Sequence, residues 1–249
     1  MGINIDLHNR TALITGATRG IGKAIADDFI EAGARVILTG TSLSQVNQLA
    51  KSNTNTRVRW VHAEFNSNMG IDKFLDALSA FKKIDICINN AGINIIKPFD
   101  QYSQDEYARL LSVNLAAPFQ LMQHLLPRMR KKNYGRIVNI ASIWSQSSKP
   151  GRALYSTSKT ALTGLTRTLA LEYGDSNVLV NSVSPGFTMT ELTKNSLSPQ
   201  DIDDLKSKIP LQRIAQPTEI SKLVLFLSSN LNTYITGQNI LIDGGFTIA

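Results

Sequence analysis

The chain has 249 residues, 43% of them hydrophobic and 18% charged, and 26 basic against 19 acidic side chains give a net charge of +7. That balance excludes a disordered chain, and a single cysteine, Cys87, excludes an intrachain disulfide scaffold. At about 150 residues per domain the length permits one or two domains, but no linker interrupts it, so one domain over residues 1–249 is expected. The first residues show no basic segment followed by an apolar one, and no run approaches the ~18 apolar residues of a membrane helix. A cytoplasmic protein with no membrane partner is expected.

In chain order, short apolar runs rich in β-branched residues lie at 11–15, 36–39, 58–61, 84–88, 137–140, 178–183 and 240–242. Between them 21–32, 67–81, 105–130, 154–173 and 218–227 carry apolar residues at helical spacing. The strand runs are almost continuously apolar, as strands covered on both faces must be. The alternation predicts an α/β fold, a Rossmann-type doubly wound parallel sheet with helices on both faces. Gly33 stands where a glycine would end the first helix, and Pro118 predicts a local adjustment inside the third. The polar stretch 189–210 breaks the rhythm after a strand, where either a substrate lid or an ordinary surface loop with a short helix would lie. The densest basic run, Arg128, Arg130, Lys131, Lys132 and Arg136, has no aromatic interleaving or zinc-finger spacing, so no nucleic-acid partner is expected. It reads either as a solvated helix end whose cations offset the dipole or as a docking patch for a phosphorylated substrate or acidic carrier.

After the first strand, Thr15, Gly16, Ala17, Thr18, Arg19, Gly20, Ile21 and Gly22 lead directly into a helix. Gly16 permits a tight turn, Gly20 lets backbone approach a pyrophosphate, and Gly22 allows close helix packing, while the helix start offers free N–H groups. The spacing G-x-x-x-G-x-G differs from G-x-G-x-x-G, and a purely structural turn is the alternative. An acid at the end of the second strand would select an unphosphorylated ribose, yet Leu38 to Ser42 contain none. Arg19 with the hydroxyls of Thr41 and Ser42 suits a 2′-phosphate, which favours NADP(H) over a still possible NAD(H); Arg19 as a solvated loop residue is the plain alternative.

Tyr155 and Lys159 stand four residues apart on one helical face. A cation beside a tyrosine stabilises its phenolate and brings it towards the working range of a general acid or base. Ser156 and Lys159 also fit the S-x-x-K pattern of serine acyl enzymes, but the companion triplets are missing. No metal site is expected, because His8, His62 and His124 are scattered and Cys87 lies in a strand. A protein of another class, binding NADPH as a regulator without turnover, would need the glycine loop alone.

Together the glycine loop, Asn89-Asn90-Ala91-Gly92, Asn114, Ser142, the Tyr155/Lys159 pair and Pro185-Gly186 resemble the short-chain dehydrogenase/reductase (SDR) family over essentially the whole chain. Within it the sequence is most similar to 3-oxoacyl-(acyl carrier protein) reductases, including Tyr234 to Gly237 and Asp243 to Gly245. The resemblance implies an NADPH-dependent oxidoreductase that reduces a ketone, a 3-oxoacyl thioester or related carbonyl, to a secondary alcohol. Sugar, polyol, steroid or secondary-metabolite substrates are the alternative. It implies Tyr155 as proton donor, Ser142 bound to the carbonyl oxygen, Lys159 lowering the tyrosine pKa and holding the nicotinamide ribose, and Asn114 supporting a water chain. For the cofactor it implies Gly16, Thr18, Gly20, Ile21 and Gly22 at the pyrophosphate, Arg19 and Thr41 at the 2′-phosphate, and Glu64 with Phe65 beside the adenine. Asn90, Ala91 and Gly92 would line the ribose side, and Pro185, Gly186, Thr188 and Thr190 the carboxamide. The two arginines that bind the carrier in such reductases are replaced here by Asn133 and Ser176. Trp144 would crowd or stack on substrate, or lie in the core. A small-molecule or carrier-bound carbonyl substrate and a homotetramer, or a homodimer, are implied as partners.

Overall fold

Successive strand residues enter two different cores, which accounts for the unbroken apolar runs. A computed structural model describes residues 4–191, 193 and 198–249. Its strands are β1 (Thr11–Ile14), β2 (Arg35–Gly40), β3 (Val58–His62), β4 (Ile86–Asn89), β5 (Gly135–Ile140), β6 (Val178–Pro185) and β7 (Asn239–Ile242). All pair in parallel, in the order β3-β2-β1-β4-β5-β6-β7. Ala12, Ile14, Ile88 and Val138 pack on one side with residues of α1 (Gly20–Glu31) and of a later helix, Pro217–Ser228, numbered α8 below. Leu13, Cys87, Ile137 and Val180 face the other side, towards α3 (Asn68–Leu78) and α5 (Ala117–Lys131). Burial pushes the Cys87 thiol up to about 12, so it behaves as a small hydrophobe.

The predicted strands and helices are all present, with ends shifted by a few residues. One element was not anticipated: α2 (Leu43–Ser52) follows β2, capped by Ser42, whose Oγ accepts from the Gln45 amide at 3.3 Å. Only Val46 of α2 is buried, so its apolar periodicity is faint. The long third helix is α4 (Gln104–Leu111), a π turn (Ser112–Ala116) and then α5. The π turn falls where Pro118 was expected to act: proline has no amide, so the Asn114 carbonyl has no i+4 donor. Gly33, at φ +94°, follows α1 as expected. Next come α6 (Ala153–Tyr173), α7 (Pro199–Ser207) and α8 (Pro217–Ser228). Of the expected lid 189–210, residues 192 and 194–197 lie outside the described residues; α7 occupies part of the rest.

The basic run divides. Arg128, Arg130 and Lys131 occupy the last turn of α5, where cations oppose the helix dipole. Arg136 is instead buried in β5, its guanidinium bonded to the carbonyls of Gly135 and Asn177 and lying 4.5 Å from the Tyr134 ring centre. It contributes to no docking patch. Among the described residues no helix is long and apolar enough to cross a membrane. The strand order reverses between β1 and β4, and such a switch point opens a crevice at the carboxyl ends of the strands.

Candidate active site

The crevice holds a cleft of about 620 Å³. Every predicted cofactor residue lines it except Pro185, Gly186, Thr188, Tyr155 and Lys159. Gly16 and Gly20 have φ of +65° and +57°, a region L side chains rarely adopt, and a Cβ on Gly22 would come 2.2 Å from the Gly16 carbonyl oxygen. The loop is held from both sides. Thr39 Oγ1 accepts from the Gly16 amide at 3.0 Å, and the Asn90 side chain donates to the carbonyls of Thr15 and Gly16 at 2.8 and 3.0 Å. Asn90 therefore shapes the glycine loop more than it faces a ribose. Thr190 stands over Gly20, its Cγ2 3.3 Å from where a Cβ would be, and closes that end of the cleft.

At the outer corner Arg19 and Thr41 are exposed on the cleft, and the start of α2 follows at Leu43. Among the described residues no carboxylate pairs with Arg19. An uncompensated guanidinium, a hydroxyl and a helix start suit a phosphate monoester. Glu64 is exposed at the adenine end, but the Phe65 ring is buried edge-on against Phe74 at 5.3 Å, so only its backbone is available there. Arg109, which the sequence did not single out, also lines the cleft.

The catalytic set assembles where β4, β5 and α6 meet. Ser142 follows β5, with its Oγ accepting from the Trp144 amide at 3.2 Å. Lys159, 4% exposed, donates to the Ile140 carbonyl at 2.7 Å and lies 5.7 Å from the Tyr155 ring centre. Burial lowers its pKa to about 8. Burial also raises the Tyr155 pKa, opposed by the nearby Ser142 hydroxyl and the Arg152 charge. The lowering expected from Lys159 thus comes here from Ser142 and Arg152, because the ammonium is turned to the Ile140 carbonyl. Asn114 meets this group at Gly92, whose Cβ position would be 3.4 Å from Lys159 Nζ and 3.5 Å from Asn114 Oδ1. The Asn114 side chain is fully engaged: Oδ1 accepts from the Ile93 amide at 2.9 Å, and Nδ2 donates to the Ile93 carbonyl and to Ser158 Oγ. Its main-chain carbonyl lacks the usual i+4 amide donor, because residue 118 is proline.

The stretch after β6 is held differently from expectation. A Cβ on Gly186 would stand 2.7 Å from Asp243 Cα, so glycine there serves packing against the C-terminal segment. The Met189 amide donates to the Ala215 carbonyl at 2.8 Å, and Thr188 bridges to Ala215. Trp144 is 7% exposed and joins Phe187 and Phe246 in an edge-to-face cluster with ring centres 5.1–6.2 Å apart. Sequence reasoning missed Arg152, half-buried directly before α6; its position three residues ahead of Tyr155 was the available signal.

This fold and constellation are those of a known class. The family described as enoyl-(acyl carrier protein) reductase matches residues 16–247, and the chain belongs to the short-chain dehydrogenase/reductase family. It is an NAD(P)-dependent oxidoreductase acting on CH–OH and C=O groups. The 3-oxoacyl-[acyl-carrier-protein] reductase FabG of Aquifex aeolicus is 40% identical, the match covering 98% of this chain and 99% of that protein. A 4-hydroxyisoleucine dehydrogenase complexed with NADH superposes with a TM-score of 0.90 at 34% identity, covering 97% of this chain and 100% of that one. A gluconate 5-dehydrogenase from Burkholderia cenocepacia in complex with NADP and tartrate gives 0.90 at 29% identity, covering 98% and 97%.

Proposed function

We propose that the enzyme is an NADPH-dependent reductase of a 3-oxoacyl thioester or related ketone, with Tyr155 as the proton donor. The observation that carries this is the placement of Tyr155 one helical turn before the buried Lys159, whose Nζ lies 5.7 Å from the tyrosine ring centre, with the buried Ser142 beside them. When bound, NADPH supplies a hydride to the carbonyl carbon. Tyr155 gives its proton to the carbonyl oxygen, and the Ser142 hydroxyl donates a hydrogen bond to the same oxygen. Lys159 holds the ribose hydroxyls and returns a proton to Tyr155. The Asn114 carbonyl, without an i+4 amide donor, holds a water that resupplies Lys159. Gly16, Gly20 and Gly22 take the pyrophosphate, and Arg19 and Thr41 take the 2′-phosphate that sets NADPH above NADH.

The reverse reaction on a hydroxy acid or polyol is a second reading, favoured by the likeness to the gluconate and 4-hydroxyisoleucine dehydrogenases. Asn133, at φ +50° after α5, serves a left-handed turn and gives an acidic carrier nothing to grip. A homotetramer with α5 and α6 at the contacts would cover a largely apolar groove of about 910 Å³ that runs along α4, the π turn and the start of α5 and is bordered by Leu165 of α6. A cytoplasmic location suits the lone buried cysteine. The test is initial-rate oxidation of NADPH and NADH with short 3-oxoacyl thioesters on coenzyme A and on acyl carrier protein. NADPH-linked turnover is expected; NADPH binding with no turnover of any ketone overturns the reading in favour of a regulatory protein.

A further inference from the structure

Three cations gather beside the catalytic tyrosine, and among the described residues no carboxylate pairs with them. Lys149 Nζ lies 5.6 Å from the Trp144 ring centroid and the Arg152 guanidinium carbon 5.9 Å from it. The Lys149 pKa is lowered by burial first and then by the neighbouring charges of Arg152 and of Lys208, just past α7. Arg152 stands at the N-cap position of α6, three residues before Tyr155; burial lowers its pKa, and the phenols of Tyr155 and Tyr102 oppose that lowering. Its Nε is buried without a hydrogen-bond partner. Lys97, whose backbone oxygen is 3.7 Å from the Cβ position of Gly151, is by contrast paired with Glu106 at 2.7 Å.

Stability does not explain this arrangement. The first turn of α6 contains no acid and Arg152 makes no side-chain cap, so a cation stands where the helix dipole favours an anion. One cation on the Trp144 face would be ordinary; Lys149 and Arg152 together over that ring, with no carboxylate paired to either among the described residues, concentrate positive charge beside the start of α6.

We propose that Arg152 and Lys149 form an anion subsite of the substrate pocket, and that the substrate is an oxo acid or hydroxy acid whose free carboxylate lies within a few carbons of the reacting C=O or CH–OH. This rests on the reductase reading, in which Tyr155 marks the reacting oxygen, and within that reading it takes an oxo acid among the related ketones in place of the thioester. The planar guanidinium fork matches a carboxylate in two parallel hydrogen bonds, and Lys149 adds a point charge from the solvent side. The Trp144, Phe187 and Phe246 cluster supplies an apolar wall for the carbon chain.

The test compares kcat/KM for a series of 2- to 5-oxo acids with that for their ethyl esters. The free acids are expected to be preferred. Arg152→Gln should cut the acid-to-ester ratio by about tenfold to a hundredfold, Arg152→Lys by less, and exposed Lys149→Gln by about threefold. Esters used as well as acids, or a ratio unmoved by Arg152→Gln and Lys149→Gln, overturn the proposal. Calorimetric titration of the NADP-loaded protein with 3-hydroxybutanoate and 3-hydroxybutanamide separates the two readings. Acid binding that needs Arg152, with no turnover, keeps the subsite and removes the reductase. Ester turnover with no acid binding keeps the reductase and removes the subsite.

Discussion

The two halves of the crevice recognise by opposite means. On the β1–β3 side the working features are backbone and missing side chains: positive φ at Gly16 and Gly20, no room for a Cβ at Gly22, and exposed Arg19 and Thr41. On the β5–β7 side they are side chains whose pKa values are displaced by desolvation, upward for the partly buried Tyr155 and downward for the buried Lys159. The nucleotide half is therefore sensitive to added atoms, and the catalytic half to removed ones.

The contrast breaks most visibly at Tyr155. Tyr155→Phe removes one oxygen from a site that depends on it, and should lower kcat by about 100- to 10,000-fold while NADPH binding and thermal unfolding stay close to the parent. Near-parental turnover by the folded variant would end the assignment. Gly22→Ala adds one carbon against the Gly16 carbonyl, and should cost about 1–3 kcal/mol of stability and weaken NADPH binding; calorimetry that finds neither would contradict the steric argument.

Lys159 sharpens the comparison through pH. Its folded pKa of about 8 lies below the ordinary 10.5, so between those values the native chain has released a proton that the unfolded chain still holds. Its contribution to stability therefore rises with pH in that window, by about 1.4 kcal/mol per unit, and is unfavourable below it. Unfolding measured at a series of pH values should show this rise in the parent and not in Lys159→Met. The smallest effect is expected at the exposed corner. Arg19→Ala should raise the KM for NADPH about tenfold and leave NADH almost unchanged, and equal changes would remove the 2′-phosphate argument.

The sheet was legible because each strand carries apolar residues on both faces, a pattern that needs no knowledge of the partners. The helix α2 was not, since a single buried Val46 leaves its sequence close to that of a polar loop. Tyr155, Lys159, Ser142 and the glycine loop were legible as a joint pattern. Arg152 was not, because its meaning depends on how the connection between β5 and α6 folds Trp144 and Lys149 back around it. Asn114 was half legible: the sequence placed it in the helix before Pro118, but only the fold shows its side chain locked onto Ile93. Gly186 read as a cofactor contact because composition cannot distinguish a glycine that admits a ligand from one that admits Asp243.

Asn90 and Asn114 hold the two ends of a short ribbon, residues 90–93, one to the glycine loop and the other to the helix carrying the π turn. Both ends are fastened by protein groups alone. An arriving cofactor thus meets loops whose entropy was already lost on folding, and its affinity is reduced mainly by its own immobilisation, with little further cost for ordering the chain around it.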